Sequence, residues 1–179
     1  MKNLLFVSFF CGLFAACSSS KTITFEGSVF EPFWTSELMD SVKKNDFRLL
    51  IATPKADITG ICIVKQVNGE WKGAVINEFG LKVFDFASTH RNCELLNVIP
   101  FLNKRYIKKT IAADLQFILE IDNPLYPIGT QADRYWNQDT LIVRYKHEKE
   151  LQRYPNGEVK YTNSKRNLTY SLTKIKANP

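Results

Sequence analysis

Histidine is scarce in this 179-residue chain: His90 and His147 are the only two, and they lie far apart in sequence. No CxxC or HExxH spacing is present to gather ligands around a metal. There is no GxSxG elbow for a serine nucleophile and no Walker loop for a nucleotide's phosphates. The carboxylates are scattered. Glu78, in the turn Asn77-Glu78-Phe79-Gly80, is the one placed to attract notice, and turn chemistry accounts for it. These absences argue against an enzyme and imply neither metal nor cofactor. Spanning segments are also lacking: the apolar run Leu4–Phe14 falls well short of the ~20 residues a membrane-crossing helix requires. No internal repeat is visible, and Ser18-Ser19-Ser20 is the only low-complexity stretch.

What Leu4–Phe14 does fit is the apolar centre of a secretory signal, with Lys2 as its positive start. The run ends in Phe14-Ala15-Ala16-Cys17. Small residues before a cysteine suit a peptidase cleft, and the thiol can take a diacylglycerol. The segment resembles the lipobox of bacterial lipoproteins, with Phe14 where leucine is commoner. The expectation is therefore a signal peptide over 1–16, lipid attachment at Cys17, and a short tether through residue 21. Three acyl chains on such a cysteine exceed the two signals that stable anchoring needs. The membrane is then a partner through the lipid anchor. The commoner destination is the periplasmic face of the outer membrane rather than the inner membrane.

The rest, 22–179, is read as one domain, expected to be monomeric and long enough to bury a sizeable core. The net charge of +6 drops by one when Lys2 is removed. That balance suits anionic phosphates or lipid head groups and is equally common on inert surfaces. An exported chain does not meet nucleic acid. Aromatic content is 13%, with phenylalanine far ahead of tryptophan, which favours a β-rich fold around a wide apolar interior. Beyond Cys17, Cys62 and Cys93 remain below the signal: an even pair in an oxidising compartment is a disulfide candidate, and two buried thiols are the alternative.

Residues 22–30 (TITFEGSVF) alternate as a half-buried strand, and 33–44 read as a short helix after Glu31-Pro32. A meander follows: strands over 47–52, 58–67, 71–77, 81–86 and 93–98, with Asn68-Gly69 as a two-residue hairpin turn. Ile107, Ile111, Leu115 and Ile118 give 103–120 the stripe of an amphipathic helix, while Lys104, Arg105, Lys108, Lys109, Asp114 and Gln116 fall mainly elsewhere on the wheel. The Pro- and aromatic-rich 122–138 reads as a long loop. Strands over 140–146, 159–163 and 168–175 close the chain, with a hairpin through Pro155-Asn156-Gly157.

Eight or nine antiparallel strands with few helices predict a mainly β (α+β) fold: one strongly curved sheet, with a helix on its concave face to bury the apolar stripe. From Lys43 to Glu120 the chain resembles the LolA/LolB-like superfamily of periplasmic lipoprotein carriers and acceptors. The likeness rests on the strand from Phe47, the hairpin Asn68-Gly69-Glu70-Trp71 and the stretch from Val75 to Val83. It implies an unclosed β-barrel holding acyl chains between sheet and helices. It also implies, for an acceptor, a protruding apolar loop residue that hands cargo to the membrane; Leu125 and Tyr126 are the candidates in the Pro-rich loop.

Residues suited to line such a cavity are Trp71, Phe79, Phe84 and Phe86 on the hairpins and Ile107, Ile111 and Leu115 on the helix. A filled core would use the same residue types. Lys104, Arg105, Lys108 and Lys109 could meet head groups or form a solvated helix face, although cations at a helix N-terminus are mildly unfavourable. Two functions remain open: a carrier or acceptor of lipids or lipoproteins with a real cavity, and a lipid-tethered accessory of an envelope complex with a filled core.

Overall fold

The computed structural model describes residues 44–175. The expected signal peptide, Cys17, the tether, the strand over 22–30 and all but the last residue of the helix over 33–44 lie outside the described residues.

Among the described residues, ten antiparallel strands form one unclosed sheet with a single α-helix packed against it. In chain order they are β1 (Asn45–Ala52), β2 (Ile58–Val67), β3 (Glu70–Ile76), β4 (Lys82–Ser88), β5 (Cys93–Leu96), then α1 (Arg105–Glu120), then β6 (Asp133–Asn137), β7 (Thr140–Tyr145), β8 (Lys149–Arg153), β9 (Val159–Asn163) and β10 (Leu168–Lys174). The spatial order is β5-β4-β3-β2-β1-β10-β9-β8-β7-β6. Two five-stranded meanders therefore meet along β1 and β10, and α1 belongs to the connection between the two edge strands.

The strands form where apolar side chains alternate, because alternate residues share one face. In β1, Asn45, Phe47, Leu49 and Ile51 are buried and their neighbours are not. Register lines such residues up across the sheet. Phe47, Cys62, Val75 and Phe84 form one buried row over β1–β4. Ile51, Tyr170, Tyr161, Leu151 and Val143 form another across β1, β10, β9, β8 and β7. Asn68 and Gly69 both take positive φ, as a tight hairpin whose twist matches its strands requires. Gly73 serves a different need. A Cβ there would lie 2.3 Å from the Phe86 ring, so the missing side chain is the space that Phe86 fills.

Two strands, β6 and β8, go beyond the expected set. Both are mostly polar, and pairing with β7 rather than an apolar stripe defines them.

The sheet curls around α1. Within one helical turn, Gln116 donates to the Thr89 carbonyl at the β4–β5 turn while Asp114 meets Tyr161 and Asn163 of β9 and Tyr170 of β10. Lys149 of β8 reaches the same turn. From β4 to β8 is six strand spacings, roughly 29 Å along the sheet at about 4.8 Å each. A helix about 10–12 Å across touches both only if the sheet bends around it. The helix has no side-chain N-cap and no acid in its first turn. Burial of Ile111, Leu115, Phe117 and Ile118 holds it in place instead. No helix among the described residues is long and apolar enough to cross a membrane.

Candidate functional site

An open apolar groove of about 510 Å³ lies where the N-terminal half of α1 parts from the sheet. Ile51, Ile58 and Leu168 supply the sheet side, Ile107 and Ile111 the helix side, and Phe101 and Leu102 the 3-10 turn after Pro100. The β1–β2 loop forms the outer lip. It is held by the Thr53 hydroxyl, which accepts from the Lys55 and Ala56 amides. Ile51, Leu102 and Ile111 are buried at the base, whereas Phe101 and Tyr106 stand exposed at the edge. Three cations, Lys55, Lys104 and Arg166, line the groove, and no carboxylate does. Past Tyr106, Thr110 and Arg166, which belong to both, the groove meets a polar pocket of about 330 Å³ containing Lys109, Lys149 and Lys165.

Beneath that pocket is a buried polar cluster. Asp114 is fully buried and accepts hydrogen bonds from Tyr161 Oη (2.7 Å), Asn163 Nδ2 (2.8 Å) and Tyr170 Oη (3.1 Å). Lys149 Nζ lies 3.8 Å from its Oδ1 and 5.2 Å from the Phe117 ring centroid. Burial outweighs these partners and pushes the Asp114 carboxyl above its ordinary value, while burial holds the Lys149 ammonium below its own. Burial likewise raises both tyrosines. The cluster thus ties the middle of α1 to β9 and β10 through buried groups, and to β8 through the part-buried Lys149.

The expected cavity residues separate into three sets. Ile107 and Ile111 line the groove. Trp71, Phe84, Phe86 and Leu115 are buried and lie outside it; Phe84 and Phe86 pack with ring centroids 6.5 Å apart. Phe79 lines neither the groove nor the neighbouring pockets and corrects the expectation. It is 87% exposed at the β3–β4 turn, beside Leu81 at 65%. The Asn77 side chain accepts from the Phe79 and Leu81 amides, and Gly80 takes φ +79°, so the turn projects both apolar side chains outward. Glu78 is exposed in the same turn.

The basic run also divides. Lys104 joins the groove and Lys109 the polar pocket, and Lys108 and Lys109 border a depression against Asn92–Leu95. Arg105 is exposed and lines none of these. In the Pro-rich loop Leu125 is exposed but Tyr126 is buried, and Arg134 pins the loop by donating to the Ile121 and Gly129 carbonyls. Of the two readings of the cysteine pair, the structure has the second: Cys62 and Cys93 are free, buried thiols. They stand on β2 and β5, three strand spacings or about 14 Å apart, beyond the ~7 Å a disulfide spans between Cα atoms. Burial raises their pKa values to about 12 and about 11, so neither is a nucleophile at neutral pH.

Asp114 is the main residue that charge-based reading misplaced. It follows Ile111 by three positions and precedes Ile118 by four, which puts it on their buried face. That spacing was the available signal. Lys149, Arg166 and Leu168 come from strands and a turn far along the chain, and no local pattern marks them. Compared with known proteins, the chain matches no family model and no curated protein.

Proposed function

We propose that this chain is a lipid-anchored envelope protein that binds acyl chains of lipids or lipoproteins, acting as a carrier or acceptor. The observation that carries the reading is the apolar groove of about 510 Å³ between α1 and the sheet. Its size falls within the ~300–1,000 Å³ of small-molecule sites, and its lining is mainly apolar with a few charged groups. The central core is filled, by Phe84, Phe86, Phe117, Tyr161 and Tyr170, so the acyl site is this one end of the helix–sheet interface and not the whole interior. The projecting Phe79 and Leu81 support the second half of the reading: two exposed apolar side chains on a tight turn can enter a membrane surface, the part played by a protruding loop residue in an acceptor of the LolA/LolB-like kind.

Native mass spectrometry before and after delipidation tests the proposal. Co-purifying phospholipid or acylated peptide, lost on delipidation and regained on mixing, is the expected result. Ile107→Asp, at a half-buried groove position, should abolish the uptake in a folded protein. Phe79→Asp should leave uptake intact and weaken transfer to vesicles. A clean apoprotein that takes up no lipid would overturn the carrier reading in favour of an accessory role in an envelope complex.

A further inference from the structure

The apolar groove and the polar pocket share Tyr106, Thr110 and Arg166, so one extended molecule can occupy both. Together they are lined by six cations, Lys55, Lys104, Lys109, Lys149, Lys165 and Arg166, against two carboxylates. Both carboxylates already have partners. Asp114 accepts from three buried donors, and Glu148 is paired with Lys165 at 3.0 Å. Lys55 and Lys104 lie in a lining with no opposite charge, and the Lys149 ammonium is mostly withdrawn from water, its side chain 16% exposed. An apolar channel leading to a cationic recess has the polarity of an anionic amphiphile: tail in one, head in the other.

We infer that the ligand is a single-chain amphiphile with a phosphate head, its acyl chain in the groove and its head group between Lys109, Lys149 and Arg166. The inference rests on the acyl-binding reading and adds the head-group chemistry. Lysines and an arginine suit a phosphate because each of its oxygens can accept a charge-assisted hydrogen bond. Tyr106 and Thr110 stand at the junction, where glycerol-like hydroxyls would lie.

The test is calorimetric titration of the full, delipidated chain with three probes below their aggregation thresholds: dodecyl phosphate, dodecyl maltoside and inorganic phosphate. Dodecyl phosphate should bind at least about tenfold more tightly than the neutral maltoside, the scale of one charge-assisted contact. Inorganic phosphate alone should bind far more weakly than either. The preference should shrink in 1 M salt, where the Debye length is about 3 Å. Lys109→Gln with Arg166→Gln, both exposed positions, should bring the ratio of the two amphiphiles toward one. Equal affinities for the two amphiphiles in the unaltered chain would overturn the head-group assignment while leaving acyl binding in place. Binding of neither would overturn both readings. Inorganic phosphate binding as tightly as dodecyl phosphate would show a free-anion site and overturn the coupling of head to tail.

Discussion

Replacing Asp114 by alanine removes the acceptor that Tyr161, Asn163 and Tyr170 share at 2.7, 2.8 and 3.1 Å. Three buried donors would lose their acceptor, and Lys149 would lose its carboxylate neighbour. A buried donor left unsatisfied costs about 1–3 kcal/mol. Some of that sum is offset, because the carboxylate's own desolvation disappears with it. One-sided removal of a buried charged partner generally costs about 3–5 kcal/mol, so the Ala variant should lose about 3–4 kcal/mol. That is a large share of the ~5–15 kcal/mol typical of a whole domain. Asp114→Asn keeps one acceptor oxygen and should lose only about 1 kcal/mol.

The acid range separates charge from hydrogen bonding. Burial raises Asp114, so its contribution is full below the unfolded value of ~3.9 and is lost as pH rises through the raised native value. Glu120, also raised by burial, has the same sign, whereas Glu148, hydrogen-bonded to Lys165, and Glu150, part-buried but hydrogen-bonded to Arg144, are lowered and have the opposite sign, so the Asp114 contribution is read as the difference in slope between the parent and the Asn variant. Urea unfolding followed by the fluorescence of the buried Trp71 at several pH values reads all three proteins. A loss below about 1 kcal/mol for the Ala variant would refute the view that this cluster locks α1 to the C-terminal meander. Identical pH slopes for Asp114 and its Asn replacement would refute the assigned titration.

Gly73→Ala should destabilise by about 1–3 kcal/mol, because its Cβ would meet the Phe86 ring at 2.3 Å and the Ile63 carbonyl oxygen at 2.5 Å; a thermal melt measures it, and an unchanged midpoint would refute the close packing. Cys62 and Cys93 should resist a thiol reagent in the native protein and both react in urea; a protein that shows neither thiol after unfolding would contradict the free-cysteine assignment.

Local pattern carried much of the fold. Alternation in 47–52 and 58–67, the Asn68-Gly69 turn and the Ile107/Ile111/Leu115/Ile118 stripe marked elements within a few residues of β1, β2 and α1. Asp133–Asn137 did not stand out, since its residues are mostly exposed and the sequence before it is rich in turn formers. It is a strand because β7 supplies hydrogen bonds along it, which is a property of the neighbour. Phe79 illustrates the opposite error. Its hydrophobicity suggested an interior place, but a four-residue turn held by Asn77 and Gly80 has no interior to offer it.

The amino-acid sequence by itself determined the β-rich class, the hairpin turns and one amphipathic helix, because backbone propensity and side-chain period act between near neighbours. Only the tertiary structure decided that β1 pairs with β10, which joins the two meanders into the one sheet that holds α1. That pairing buries Asp114 among Tyr161 and Tyr170 and brings Arg166 and Leu168 beside Ile107 to make the groove. Each depends on residues distant in the chain arriving at one place, and the free energy of their meeting is set by burial and shape, which no local window contains.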